Sequence, residues 1–569
     1  MRAGLRIVWT ALFALTTHPL PAAVTAPVVL YTDLASGPNS GGENDKGAYL
    51  SVFGRNFGGG GLGTRVKVLI GGVEVDNYRS LGAARGRGDI QRISVQIGAI
   101  GHPAPGVALP VQVVVAGVGS NTDQTFTVNP GRVLFVDNVH GVDATAVPGD
   151  IAHPYRHVQT ASTSQAAYGA MQAGDIVVMR GTGTPWTDLG SDTYFVKFIG
   201  KTASAPSGAS GTGPFTLMAY PGENVFVDVA GNVGKKGAIS GVDTTSFAGG
   251  KWITIAGLRI ESGGNAGVIC VQIAGDHWRI VDNELTAATA TNNALAAGIN
   301  GNATNAFWVG NHIHDIAGGA AQENHGIYID GDGSYEIAYN TIDHVAGGSG
   351  MQVYVNGENG SDTASNVSFH HNIVHDISKH GINIADGSMN NFRIWNNIVY
   401  NTAYANLRFI TNVLHGAKIF NNTFYNAVTS GNTSYGAITS DDNLPSDALD
   451  LENNIFVPHA AMHYSGGDVP LAAGVGTIRN NLWFGGSGAH AFDTHAITTD
   501  PAFADAAQAD FHLRNSGGAV EAGSASVAAL VANDFDVVVA RPVGTGFDIG
   551  AYEYDPTYFY DRIFADPFE

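Results

Sequence analysis

The sequence predicts an all-β chain in which stacked coils of about 28 residues follow a small β-sandwich. Three observations carry this. The 569 residues include 76 glycines and 21 prolines, with 14% charged residues where soluble domains usually carry about 25%, a composition suited to many turns between short strands. An apolar run ending in Asn recurs through the second half of the chain. Upstream of it, residues 27–128 alternate apolar and polar at period two between turn residues.

The acidic balance, 28 Lys+Arg against 49 Asp+Glu for a net charge of −21, disfavours nucleic acid as a partner, because no broad basic surface is available to neutralise phosphates. With 44% hydrophobic residues the chain is not disordered. Residues 1–26 read as an export signal: Arg2 and Arg6, an apolar run from Ile7 to Leu15, and small residues at Ala22, Ala23 and Ala26. That run is too short to span a membrane, which needs about 20 residues, and no later stretch is long enough either. A secreted or cell-surface location follows. The single cysteine, Cys270, excludes an internal disulfide framework, and its apolar neighbours Val268–Ile273 make it an inert buried thiol.

In residues 27–128, strands are expected at 48–53, 66–70, 92–97 and 109–115. The segments Ser36–Gly42, Val52–Gly58 and Val68–Gly72 resemble the IPT/TIG family of immunoglobulin-like domains. That resemblance implies a spacer or binding platform and no chemistry. After Asp143 and the stretch His153–Gln159, residues 164–171 suggest a short helix that would cover the open first edge of the coil stack.

The repeat is the strongest signal. Its terminal Asn residues fall at Asn283, Asn311, Asn340, Asn372, Asn397, Asn422, Asn454 and Asn481, at spacings averaging about 28, and an apolar residue stands two positions beyond each. The physical reading is a coil of two or three strands, stacked about 4.8 Å apart. Asn tolerates the left-handed backbone of a sharp bend, and stacked Asn side chains form a hydrogen-bonded ladder. Residues three before each Asn should face inward and those four before should face out. The pattern, over residues 129–555, resembles the right-handed parallel β-helix of pectate-lyase-like proteins. The opening helix resembles the end plug of such proteins. The segments Asp510–Leu513 and Asp548–Glu553 resemble their closing region. Residues 556–569 look like a short sorting tag.

Each coil carries a second strand after its Asn: His325–Asp330, Ser349–Tyr354, His380–Ala385 and Ala405–Ile410. Aligned, these put Tyr328, Gln352, Asn383 and Arg408 in one outward column. His325 and His380 lie beside it, Lys379 precedes His380, and Asp330 and Tyr354 end their strands. An outward strip of this kind suits an extended, acidic polysaccharide. In β-elimination a cation or amide neutralises a uronate carboxylate, a base removes the α-proton and an acid assists the leaving oxygen. His325, Tyr328, Tyr354, Lys379, His380 and Arg408 are the candidate catalytic residues. Gln352, Asn383, Arg393 and Asp330 are the candidate substrate-binding residues. Hydrolysis would need two carboxyl groups about 5–9 Å apart, and on this face only Asp330 and Asp332 are at hand. The polysaccharide lyases that the fold resembles often use Ca²⁺. Asp330-Gly-Asp-Gly333 offers oxygen ligands for it, or else a tight turn, but the Asp-rich calcium cluster of those enzymes is not recognisable. Three pairs, His314-Asp315, Asp343-His344 and His375-Asp376, form a second polar cluster that suits metal ligation as well as ordinary surface chemistry. A polysaccharide lyase, acting as a monomer, is the leading expectation; a glycoside hydrolase, an epimerase and a non-catalytic glycan-binding surface protein remain alternatives, because this fold hosts them all.

Overall fold

The computed structural model describes residues 26–556 except 101–105, 161–165, 188–193, 208–210, 231–236, 243–248, 265–268, 291–297, 319–322, 356–362, 412, 442, 460–461, 467–473 and 489. The expected export signal and most of the expected tail therefore lie outside the described residues.

The chain begins as two sheets packed face to face. One is antiparallel, pairing Val28–Thr32, Tyr49–Arg55, Arg87–Gln96 and Asn77–Ala84 in that spatial order; the other joins Ser36–Gly37, Thr125–Val128, Ala108–Val115, Val66–Ile70 and Val73–Glu74, with Val118–Gly119 alongside. Alternation decides which side chains meet: Val66, Val68 and Ile70 turn inward against Val111, Val113 and Val115.

From Val133 to Trp483 the strands are parallel and pair with the strand one coil away; beyond them Phe503–Asp505 and Asp510–Leu513 form a short antiparallel pair. Three ladders run the length of this parallel β-helix. The first holds the second-strand segments Met351–Tyr354, Ile382–Ala385, Leu407–Ile410, Gly436–Ser440 and Met462–Gly466. The next holds the segments before each Asn, such as Arg393–Trp395, Ala417–Phe420 and Leu449–Glu452. The third is a ten-stranded sheet of segments after each Asn, from Phe226–Asp228 to Leu482–Trp483. Residues three before each Asn are buried (Trp308, Ile337, Phe369, Ile394, Ile419, Leu451 and Ile478). Those four before are not, and Arg393 and Lys418 are exposed. This follows from side chains pointing alternately to the two faces of a strand.

The Asn ladder is continuous. Asn311, Asn340, Asn372, Asn397, Asn422 and Asn454 each donate from Nδ2 to the Oδ1 of the next Asn, at 2.9–3.0 Å. Each also donates to a backbone carbonyl of the preceding coil. The column ends on Asp493, whose Oδ2 accepts from Asn481 at 2.9 Å and from the Trp483 indole at 3.0 Å. The left-handed bend expected at these Asn residues lies one position earlier. Asp282, Gly310, Tyr339, His371, Asn396, Asn421, Asn453 and Asn480 have φ between 50° and 68°. The ladder Asn needs its amide turned inward, so the preceding residue makes the bend.

The expected opening helix is one turn, Ala167–Ala170, with Ala167 and Tyr168 buried in the helix core. Cys270 is fully buried and its thiol is pushed up to about 12 by burial, which keeps it inert.

The sandwich does not stand apart. Its core continues into Val133, Phe135, Ile176, Val178, Met218 and Ala256 of the first coils. Further along, Tyr31 stacks on Tyr339 at 5.5 Å, and Leu30, Phe53 and Ile90 cover Val281, Val309 and Ala338. Arg87, almost fully buried, donates to the His371 carbonyl at 2.9 Å. The C-terminal region also lies along a flank: Val527, Val531 and Phe547 cover Phe420, while Phe511, Phe535 and Tyr552 pack with Ile398. Arg55 of the sandwich meets Asp536 at 3.0 Å.

Candidate functional site

Register assembles the first-ladder column. Tyr328 pairs with Gln352, Gln352 with Asn383, Asn383 with Arg408 and Arg408 with Thr439. Alternation turns these side chains away from the core, but they do not lie in an open strip: Tyr328, Gln352 and Asn383 are buried, as are His325, Ser349 and His380. At one end the cover is aromatic. Tyr404 and Tyr435 stack at 4.7 Å and lie 5.4 and 5.1 Å from the His380 ring.

Each buried histidine is held by a backbone amide of the next coil. Ser349 N–H donates to His325 Nδ1 at 2.9 Å, and Ala405 N–H donates to His380 Nδ1 at 3.2 Å. An accepting Nδ1 places the proton of the neutral ring on Nε2. Burial pushes His325 down to about 3, helped by the nearby Lys379 charge. It pushes His380 well below the usual histidine range, with Arg408 and Lys379 adding to the shift. Both rings are neutral at pH 7 and present Nε2–H groups.

Arg408 donates from Nε to Asp441 Oδ2 at 2.8 Å, and its Nη2 binds the same oxygen. Its Nη1 lies 3.2 Å from His380 Nε2. Two donors thus adjoin, and an oxygen within about 3 Å of both would accept from each. Lys379 is lowered by burial and by Arg408, against the opposing pull of Glu323. Asn383 donates to Gln352 Oε1 at 2.6 Å, and its own Oδ1 is buried without a hydrogen-bond partner.

The remaining expected residues lie elsewhere. Tyr354 ends its strand beside Ala385, away from the histidines. Arg393 stands on the neighbouring ladder between Ser368 and Lys418, because it precedes an Asn in its coil and so belongs to a different face. Asp330-Gly-Asp-Gly333 is not a turn. It lies within the continuous strand Ile327–Ala338, where one extra residue breaks the register against Gly301 and Ala303 and Asp332 takes a positive φ of 63°. Among the described residues no group of three His, Cys, Asp or Glu side chains is placed to hold a metal ion.

Sequence reading missed Asp441, Tyr404 and Tyr435. The signal for Asp441 was present, since Ile438-Thr-Ser440 aligns as a fifth second strand and Asp441 follows it directly. The tyrosines sit in connections whose lengths differ between coils, so no alignment reaches them.

The second polar cluster is assembled as alternating stacks. His314, Asp343, His375 and Tyr400 form one column of the third ladder. Asp315, His344, Asp376 and Asn401, all with positive φ, form the next. His314 meets Asp315 at 2.9 Å and His375 meets Asp376 at 2.8 Å; His375 stacks on Tyr400 at 4.8 Å. These groups pair with one another beside a shallow groove of about 750 Å³, while His314 Nε2 is buried 3.7 Å from Glu284 without a hydrogen bond.

No family model and no curated protein matches the chain. Among solved structures, one described as the complex of XylC with xylose is similar at 12% identity and a TM-score of 0.40, covering 74% of this chain and 99% of that one. A double mutant of the periplasmic alginate epimerase AlgG is similar at 12% identity and a TM-score of 0.22, covering 57% of this chain and 70% of that one. The strand pairing of the chain itself, a parallel β-helix of three ladders, defines the fold.

Proposed function

We propose that this is an exported, carbohydrate-active protein that cleaves a uronate-containing polysaccharide by β-elimination at the His325–Lys379–His380–Arg408 cluster. The observation that carries the reading is the pair of adjoining donors, His380 Nε2–H and Arg408 Nη1–H, 3.2 Å apart. A uronate carboxylate oxygen within about 3 Å of both nitrogens would accept both hydrogen bonds, and its neutralised charge would acidify the adjacent C–H. Lys379, depressed by burial and by Arg408, is the base, because a lowered ammonium pKa leaves more free amine near neutrality. The hydroxyl of Tyr328, whose ring lies 5.6 Å from that of His325, is the acid for the leaving oxygen. Glycoside hydrolysis fits less well: Asp441 is held by Arg408, and a hydrolase needs one carboxyl group free to protonate and a second to attack or activate water.

Incubation of the full chain with pectate, alginate and glycosaminoglycans tests this through the ultraviolet absorbance of unsaturated uronyl ends. Arg408→Ala and His380→Ala should each lower the rate about 100-fold or more, as loss of an oxyanion donor does. Full activity in both variants would sink the site, and reducing ends without absorbance would favour hydrolysis.

A second reading, a non-catalytic glycan-binding protein, is favoured by the burial of Tyr328, Gln352 and Asn383. Binding of the same polymers without any product would support it. An export signal at residues 1–26 belongs to the same proposal, and N-terminal sequencing of the mature protein should begin after Ala26.

A further inference from the structure

The seam between the sandwich and the helix forms a half-open pocket of about 380 Å³, within the roughly 300–1,000 Å³ usual for small-ligand sites. The sandwich lines it with Asp33, Ser51, Arg85, Arg92 and Ser94. The helix lines it with Tyr220, Pro221, Glu223, Asn224, Arg259, Asp282 and Glu284, and with the apolar Met218 and Ala256. It belongs to neither the histidine cluster nor the third-ladder groove.

Its polar groups are tied in pairs across the seam. Arg92 Nη1 donates to Asp282 Oδ2 at 2.8 Å, and Arg85 Nη1 donates to Glu284 at 3.0 Å. These pairs leave specific atoms over. The Nε–H groups of Arg85 and Arg92 are buried with no acceptor. Asp33, 4% exposed, accepts the backbone amides of Leu34 and Ser51 through one oxygen, both at 2.7 Å, and the Ser51 side chain as well, with room for a further donor on its second oxygen. The Ser51 and Ser94 hydroxyls share one hydrogen bond of 3.0 Å, and Ser51 bonds Asp33 in turn.

A ligand that satisfies this set must both accept from guanidinium N–H and donate to carboxylate oxygens at short intervals. A simple anion accepts only, and would stand against Asp33, Asp282 and Glu284. A cation donates only, and would stand against Arg85, Arg92 and Arg259. Vicinal hydroxyl groups do both, and the Tyr220 and Pro221 rings with Met218 supply the apolar wall against which a pyranose face packs.

We propose that this cavity is a second glycan site, binding one neutral sugar unit at the junction of sandwich and helix. The sandwich then contributes half of a binding site in addition to covering the coils. The proposal is independent of the elimination chemistry above, because it shares no residue with that cluster.

The test is saturation-transfer nuclear magnetic resonance on the full chain with glucose, galactose, mannose and their β-linked disaccharides. At least one should show transfer, and Ala83→Phe should weaken it about tenfold or more. Ala83 is exposed on the cavity lining and takes part in no ion pair, so a ring there occupies the space without breaking the seam. Asn224→Ala, at another exposed lining position, should weaken it less. His380→Ala should leave binding intact, which separates this site from the histidine cluster. Transfer from none of these sugars, transfer from galacturonate alone, or transfer undiminished by Ala83→Phe would overturn the proposal.

Discussion

Asn397 shows how much of the helix rests on single side chains. Its Oδ1 accepts from both the backbone and the side chain of Asn372, at 3.1 and 3.0 Å, and its Nδ2 donates to Asn422 Oδ1 at 2.9 Å and to the Phe369 carbonyl at 2.8 Å. All of this is buried, so truncation leaves several polar groups dry, each costing about 1–3 kcal/mol. Asn397→Ala should therefore destabilise the protein by about 3 kcal/mol or more, read from the midpoint of urea unfolding, whereas Lys418→Ala on the exposed neighbouring ladder should be nearly silent. An Asn397→Ala midpoint equal to that of the unmodified protein would show that the column is incidental. The ladder was legible in the sequence because its chemistry admits one residue type at one position of each coil. The bend before it was not, because a left-handed position accepts several residues: Asp282, Gly310, Tyr339, His371 and Asn396 all take it. The candidate site was legible in the same uneven way. Tyr328, Gln352, Asn383 and Arg408 share a register position and could be aligned, but their burial depends on Tyr404, Tyr435 and other groups outside the repeat.

The element with the strongest dependence on pH is the C-terminal flank. Residues 534–536 sit between helix and sandwich: His371 Nε2 faces the Asp534 carbonyl at 3.2 Å, Arg55 meets Asp536, and the Arg87 guanidinium lies over the Phe535 ring. Burial and the Asp536 carboxylate raise Asp534 well above the usual carboxylate range, although Arg541 and His512 oppose this. Burial raises Glu553 to about 7 against the pull of Arg541, and raises Asp548. His512 is raised by its hydrogen bonds to Asp510 and Asp536, which outweigh its burial. Each of these groups holds a proton in the folded chain that it loses sooner when unfolded, so each favours folding at the acid side and stops doing so as pH rises through its folded value. His371 and Asp89 act in the opposite sense. His371, pushed down by burial, favours folding only above the ordinary histidine value of about 6.5; Asp89, lowered by Arg87 and Arg55 against its burial, titrates below the ordinary carboxylate range. From about pH 6.5 upward, then, only the destabilising deprotonations remain. Amide hydrogen exchange over residues 519–554, corrected for its intrinsic pH dependence, should show protection falling as pH rises from 6.5 to 9 (about one decade or more), while the Asn column stays protected. Flat or rising protection would mean that these carboxyl groups are ionised throughout. The motif Asp548–Glu553 could be read in the sequence as a closing segment, but its destination could not. Phe511, Val527 and Phe535 carry no period that pairs them with a given coil.

At the scale of the whole molecule, the sandwich and the helix share one apolar interior. A tethered module would meet its neighbour through a modest, polar interface and unfold separately. Here Val133, Phe135, Ile176 and Val178 belong to the same buried cluster as Tyr49, Val68 and Val113, so removing either side exposes the core of the other. Gly310 is where the docking is tightest. In its coil the left-handed bend falls against Tyr31, and a Cβ at Gly310 would lie 2.1 Å from the Tyr31 hydroxyl. Asn is therefore tolerated at the same bend in other coils and excluded in this one. Calorimetry of the full chain should give a single transition that includes the sandwich. Gly310→Asn, whose backbone conformation Asn adopts readily, should lower that transition through overpacking against Tyr31 alone, at a cost of about 1–3 kcal/mol. Asn453→Gly, at the equivalent bend of a distant coil, would leave the sandwich contact untouched. Two well-separated transitions in the unmodified chain, or a Gly310→Asn protein as stable as the parent, would mean that the shared interior does not couple the two parts. A single transition that Gly310→Asn depresses would make the sandwich a structural part of the helix, because its inner strands and the first coils then fold only against each other.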